Sequence, residues 1–128
     1  MRKKPKAVSS VVPTEDQEQI RLATWLALQG IRFTASANGG SRNYLEAAKL
    51  KRMGVSKGWP DVQIPIMSGG FGGLFIELKR VKGGKPTREQ VDWIRYLREQ
   101  GYYADFARGF DEAKEIVLHY LRLTPRAA

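Results

Sequence analysis

The spacing of two short motifs constrains this chain more than any other feature. Gly58-Trp59-Pro60-Asp61 and Glu77-Leu78-Lys79 are separated by fifteen residues that include Gly69-Gly70 and Gly72-Gly73. The segment reads as a strand entered at an acidic residue, a Gly-rich reversal and a second strand. Residues two apart on a strand share a face, so Glu77 and Lys79 project together while Ile76 and Leu78 face the other side. With the turn centred on Gly69, antiparallel pairing sets Asp61 opposite Glu77, with Cα atoms about 4.5–5.5 Å apart. Carboxylates that close repel each other unless a positive charge lies between them, and a hard divalent cation suits the position. Lys79 then stands beside the cation, placed to orient a water and to stabilise developing negative charge. Taken singly, Asp61 reads as a strand-entry turn residue, and Glu77 with Lys79 as a surface ion pair worth little. Their joint occurrence at hairpin register favours metal-assisted hydrolysis.

Helix and strand signals surround the hairpin. Thr14 and Gln17 form a capping-box pattern opening a helix with Ile20, Ala23, Leu26 and Ala27 on one side, Leu22 and Trp25 adjoining, and Gly30 at its end. Ile31 to Ala35 alternates as a short strand, and Asn38-Gly39-Gly40 is loop chemistry. Asn43, with Glu46, caps a second helix running to Met53 and Gly54. The hairpin strands are expected near Asp61–Met67 and Leu74–Arg80, with Pro65 interrupting the first. The Ser68–Gly73 connection is too long for a two-residue turn. Thr87 and Gln90 repeat the capping box for a third helix that buries Val91, Ile94 and Leu97 and stops at Gly101. Tyr102 to Ala107 is a fourth strand, and Asp111 caps a last helix bearing Ala113, Ile116, Val117, Tyr120 and Leu121. The order α-β-α-β-β-α-β-α predicts an α/β fold: a small mixed sheet flanked by helices, with Leu74–Arg80 central and a parallel crossover through the third helix.

At 128 residues the chain suits one domain. Residues 1–12 read as a basic flexible arm, 13–123 as the folded domain and 124–128 as a frayed tail. No apolar run is long enough to cross a bilayer, and no secretory h-region follows the basic N-terminus. The absence of cysteine excludes thiolate metal sites and suits a cytoplasmic location, in a bacterium or a phage-infected cell. A net charge of +9 points to a polyanionic partner. The cations cluster. Arg2, Lys3, Lys4 and Lys6 lie in the arm; Arg42, Lys49, Lys51, Arg52 and Lys57 precede the hairpin; Lys79, Arg80, Lys82, Lys85 and Arg88 follow it without an acid. Basic blocks on both sides of an acidic pair favour nucleic acid over a membrane surface, which calls for a basic helix with a strong apolar face.

These residues, in this order, resemble the PD-(D/E)XK nuclease superfamily, and more specifically its VRR-NUC (virus-type replication-repair nuclease) domain. The likeness is carried by an acidic residue in the first helix (Glu18), Asn38-Gly39-Gly40-Ser41-Arg42, Ala47-Ala48-Lys49 leading to Gly54, Gly58-Trp59-Pro60-Asp61, Ile76-Glu77-Leu78-Lys79 and Thr87-Arg88-Glu89-Gln90. It covers about residues 14–122 and implies a restriction-endonuclease-like core and a Mg²⁺- or Mn²⁺-dependent endodeoxyribonuclease. On this resemblance Asp61 and Glu77 are metal ligands, helped by the backbone carbonyl of Leu78. Lys79 positions the attacking water. Glu18 reaches the site directly or through a water on the metal, and Gln90 approaches from the third helix. Small stand-alone members resemble homodimers that cut branched DNA, including four-way (Holliday) junctions. Hard oxygen ligands, with no cysteine and an isolated histidine, favour Mg²⁺ or Mn²⁺ over zinc. Since one chain offers one site, cutting two strands symmetrically calls for two chains on a two-fold axis.

Other residues carry competing readings. Glu18 is equally a first-turn acid favoured by the helix dipole. Gln90 is fully explained as the partner of Thr87, and capping and catalysis compete for its one side-chain conformation. Asn38, Arg42, Lys57, Arg80, Lys82 and Lys85 are candidate DNA contacts, or turn residues and solvated charge. His119 reads as a packed or surface residue, and Trp25 and Trp93 as core or dimer interface. The glycine cluster joins two strands without opening a helix, so it is no nucleotide phosphate loop and no nucleotide cofactor is expected. Two alternatives stay open: a basic DNA-binding accessory or packaging protein with an inactive site, and a nuclease directed at RNA.

Overall fold

A computed structural model describes residues 11–36 and 44–123. Asn38, Arg42, the Asn43 cap, residues 1–10 of the basic arm and the tail 124–128 lie outside the described residues. The elements follow the expected order: α1 (Glu15–Leu28), β1 (Thr34–Ala35), α2 (Tyr44–Arg52), β2 (Val62–Ile64), β3 (Leu74–Lys79), α3 (Arg88–Glu99), β4 (Tyr103–Arg108) and α4 (Gly109–Leu121). The sheet order is β1-β2-β3-β4, antiparallel for the first two pairings and parallel for β3–β4. The fold is therefore α/β with a mixed sheet. Among the described residues no helix is long and apolar enough to cross a membrane.

β3 is buried along its whole length because helices cover both faces. Ile64, Leu74, Ile76 and Leu78 pack against Leu22 and Leu26 of α1 and Ala113, Val117 and Tyr120 of α4. On the opposite face Phe75 and Ala104 meet Ile94 and Leu97 of α3. The two-residue periodicity of β3 then carries Glu77 and Lys79 on the α3 side with Phe75. Register is as the motif spacing requires. Val62 pairs with Ile76 and Ile64 with Leu74, so the ladder extended by one residue sets Asp61 across from Glu77.

Several expectations need correction. β1 shortens to Thr34–Ala35, with Ile31 and Phe33 packed against the core without ladder pairing. β2 ends at Ile64, because Pro65 has no N–H to continue the ladder. The connection does contain a two-residue turn: Ser68 and Phe71 exchange backbone hydrogen bonds at 3.2 and 2.9 Å around Gly69-Gly70, both at positive φ. In α1 the buried stripe is Glu18, Leu22 and Leu26, whereas Ile20 is 66% exposed. In α3 Val91 is exposed, since the buried stripe runs through Ile94 and Leu97, with half-buried Gln90 in line with them. Asp111 caps nothing: α4 starts at Gly109, and its Phe110 N–H is taken by the Glu18 carboxylate from α1. Leu121 lies at the exposed margin of α4.

The capping boxes of Thr14–Gln17 and Thr87–Gln90 are both formed. Gly58 explains the start of its motif. It has φ +87, and a Cβ there would lie 2.7 Å from the Glu89 backbone carbonyl carbon. Only glycine permits so close an approach to the start of α3. Gly58→Ala is expected to cost on the order of 1–3 kcal/mol by overpacking and backbone strain. A melting temperature equal to wild type would show that this approach is not required.

Candidate active site

Asp61 is positioned from two directions. Its backbone carbonyl accepts from Ser36 N–H at 2.8 Å, and the neighbouring Pro60 carbonyl accepts from Ser36 Oγ at 3.0 Å, tying the turn to the end of β1. Its Oδ2 accepts the Leu78 N–H at 2.8 Å, which draws the carboxylate onto β3. Trp59 wedges the same turn against α3, edge-to-face with Phe75 and Trp93 at 5.3 and 4.9 Å. Trp93 Nε1 in turn donates to the Lys57 carbonyl at 3.2 Å.

Glu77 is 2% exposed, yet only one of its carboxylate oxygens has a protein partner. Oε1 accepts from Gln90 Nε2 at 2.8 Å, and Oε2 is buried with no hydrogen bond. Burial pushes the Glu77 carboxyl up to about 9 from an ordinary 4.5. The charge of the Asp61 carboxylate adds to the rise, while Lys79 opposes it.

One side-chain conformation of Gln90 both caps α3 and reaches Glu77. Its Oε1 accepts the Thr87 N–H at 2.9 Å, its own N–H donates to Thr87 Oγ1 at 3.2 Å, and its amide nitrogen still reaches Glu77. A side-chain amide has an acceptor and two donors on separate atoms, so one conformation serves both partners.

Lys79 is buried, with Nζ 3.9 Å from Glu15 Oε1. Glu18, the residue expected from α1, is placed elsewhere. Its carboxylate is buried against the start of α4, accepting the Phe110 N–H, with Arg21 at 3.5 Å. The α1 carboxylate beside Lys79 is Glu15, which also contributes to the rise at Glu77. Glu15 was missed because it shares the first turn with Glu18. The signal available was the stripe itself: positions 15, 18, 22 and 26 lie on one side of a helix. Arg80, Lys82 and Lys85 are exposed on the link between β3 and α3, and Lys57 is exposed beside Gly58. His119 is exposed, its ring 6.1 Å from that of Tyr103 and outside the carboxylate cluster.

The donor set suits a hard cation. A buried carboxylate oxygen lacking a partner, beside a second carboxylate, is stabilised by a divalent ion held through oxygens. Among the described residues no three His, Cys, Asp or Glu side chains converge on one point. The side-chain carboxylates that could share an ion are those of Asp61 and Glu77.

Comparison with solved structures finds a VRR_NUC domain protein that superposes with a TM-score of 0.78 at 32% identity, covering 88% of this chain and 92% of the other. The chain belongs to the VRR-NUC family. No protein-family model and no curated protein matches it. Membership in this nuclease family gives the Asp61–Glu77–Lys79 cluster its chemical context.

The raised Glu77 carboxyl sets a pH dependence. The folded VRR-NUC chain keeps a proton that the unfolded chain releases above 4.5. The associated stability is fully present below that pH and is lost as pH rises to about 9. In EDTA, stability should fall across this window by up to about 1.4 kcal/mol per pH unit, and Glu77→Gln should flatten the fall. Parallel pH profiles for variant and wild type in urea melts would contradict the assignment.

Proposed function

We propose that this VRR-NUC chain is a Mg²⁺- or Mn²⁺-dependent DNA endonuclease, selective for branched DNA such as four-way junctions and active as a homodimer. The observation that carries the reading is the partnerless buried oxygen of Glu77 beside Asp61 and Lys79. Asp61 and Glu77, with the Leu78 carbonyl, would hold the ion, which when bound neutralises phosphoryl charge and activates water. The chain's own residues do the rest. Lys79 orients the attacking water and stabilises charge as the water oxygen bonds to phosphorus and the bond to the leaving oxygen breaks. The attacking water gives up its proton to solvent, and the leaving oxygen takes one up from solvent. Gln90 holds Glu77 in its rotamer, and the Leu78 N–H holds Asp61. Glu15, beside Lys79, replaces Glu18 as the α1 carboxylate closest to the reaction. Glu18 acts at a distance by fixing α4.

DNA as substrate is supported by the net charge of +9 and by Lys57, Arg80, Lys82 and Lys85 around the carboxylates. Asn38 and Arg42 are retained as further contacts of the same kind. The homodimer follows from one site per chain and two strands to cut. Leu45 and Met53, 77% and 69% exposed on and just beyond α2, are apolar surface that a second copy can bury.

The test is cleavage of labelled four-way junction, flap, single-stranded and duplex DNA with Mg²⁺, Mn²⁺ or EDTA. Wild type should cut branched substrates only with metal, and Lys79→Ala should bind DNA but lose at least about 100-fold in rate. Cleavage by Lys79→Ala at the wild-type rate would refute the site. Binding by wild type without cleavage under any metal would instead favour an accessory DNA-binding role, and preferential cutting of RNA would reassign the substrate. A solution mass near 14.5 kDa rather than twice that would refute the dimer.

A further inference from the structure

The link between β3 and α3 carries Arg80, Lys82 and Lys85 without an acidic residue. It borders the candidate site at both ends. Lys79 precedes it, and the Thr87–Gln90 cap that holds Glu77 follows it. An exposed stretch with glycines at 83 and 84 has wide conformational freedom when nothing fixes it. Arg80 ties its start to the Val12 carbonyl at 3.3 Å, and a side chain from β4 gathers the rest. Arg108, paired with Lys79 in the parallel β3–β4 ladder, donates from Nη1 to the carbonyls of Arg80 at 3.0 Å and Gly83 at 2.9 Å. Its Nη2 donates to the Gly84 carbonyl at 3.4 Å. A planar guanidinium can bind several carbonyls at once in fixed directions, which an ammonium cannot reproduce. Glu15 closes the other side. A Cβ on Gly84 would lie 3.7 Å from Glu15 Oε1, the same oxygen that is 3.9 Å from Lys79 Nζ. Gly84 is thereby held close to the Glu15–Lys79 pair, while the lysine side chains of the loop stay exposed.

We propose that Arg108 is a positioning residue for DNA: its guanidinium, engaged by three backbone carbonyls, locks the 80–85 loop so that Lys82 and Lys85 take the backbone phosphates flanking the cleaved one. The inference rests on the DNA-cleaving reading and adds the device that orders the phosphate contacts. Lysines on an unlocked loop have to be ordered by the DNA itself, and the freedom lost then reduces affinity. A loop already held against Lys79 presents the same charges without that loss. Arg108 is distinguished from an ordinary phosphate contact because its donors are directed to the chain's own carbonyls.

The experiment is fluorescence anisotropy in EDTA with labelled four-way junction and linear duplex, across a range of salt concentrations. Arg108→Lys preserves the charge but not the fork. It should weaken binding on the order of tenfold and lower the salt slope by about two, as expected for loss of two phosphate contacts. The Lys82→Ala/Lys85→Ala double variant should show the same change, and adding Arg108→Lys to it should change nothing further. Gly83→Pro gives a second route that moves no charge. Proline cannot adopt φ +76, and nothing lies within 4 Å of a Cβ at that position, so the loop is displaced without disturbing the core. It should reproduce Arg108→Lys, and it decides the matter if Arg108→Lys does not fold by circular dichroism. Wild-type affinity and slope in a folded Arg108→Lys or in Gly83→Pro overturn the loop role. So does an undiminished effect of Arg108→Lys in the double variant, which would make Arg108 a direct contact. Failure of wild type to bind either DNA overturns the DNA-cleaving reading itself, whereas wild-type binding indifferent to the loop variants overturns only this inference.

Discussion

Glu77 is an acid on the central strand of the sheet, buried where its charge is least welcome and set beside a second acid. That unfavourable burial is the constraint on which the rest of the site depends. The helices that cover β3 on both faces remove Glu77 from water, and the hairpin register brings Asp61 across from it. The local solution is partial: Gln90 satisfies one oxygen and Lys79 lowers the electrostatic cost, yet Oε2 remains without a partner and the carboxyl is pushed up to about 9. Such a frustrated position is poor design for stability alone. It is coherent for a chain of a nuclease family whose chemistry requires concentrated negative charge.

Around this point, polar side chains act as ties between elements. Gln90 joins the start of α3 to β3, Asp61 joins the β2 entry to the Leu78 N–H, and Glu18 joins α1 to the start of α4. Arg108 gathers the carbonyls of the link between β3 and α3. Glu18 and Arg108 reach backbone groups at a helix start and in a link, where those groups have no partner within an element. The helix ends thus supply precise positions for functional groups at little conformational cost.

Much of this was legible in the sequence because the signals were local or had a fixed period. The motif spacing gave the Asp61–Glu77 register, and the two Thr-x-x-Gln boxes gave the starts of α1 and α3. Gly30, Gly54 and Gly101 marked helix ends, each at positive φ. What escaped depended on tertiary geometry. Choosing between Glu15 and Glu18 required knowing how α1 is rotated, and a helix rich in apolar residues on several sides does not announce its buried stripe. The exposure of Val91 follows from the same kind of rotation, with Ile94 and Leu97 turned to the sheet and Gln90 to Glu77. The separate acceptor and donor atoms of its amide let Gln90 cap α3 and bond Glu77 at once. Asp111 was an adequate cap by type, but a distant carboxylate from α1 had taken the position. Arg108 carried no motif at all, since its partners are backbone carbonyls that any sequence supplies.

The most direct test of the account is calorimetric titration of the chain with Mn²⁺ at neutral pH in two buffers of different ionisation enthalpy. Because Glu77 holds its proton up to about 9, binding at the Asp61–Glu77 pair should release a proton to the buffer. Both the saturable binding and the proton release should disappear in Glu77→Gln. Binding of equal strength in wild type and Glu77→Gln, or binding with no proton released, would contradict the claim that this buried carboxylate pair is the metal centre.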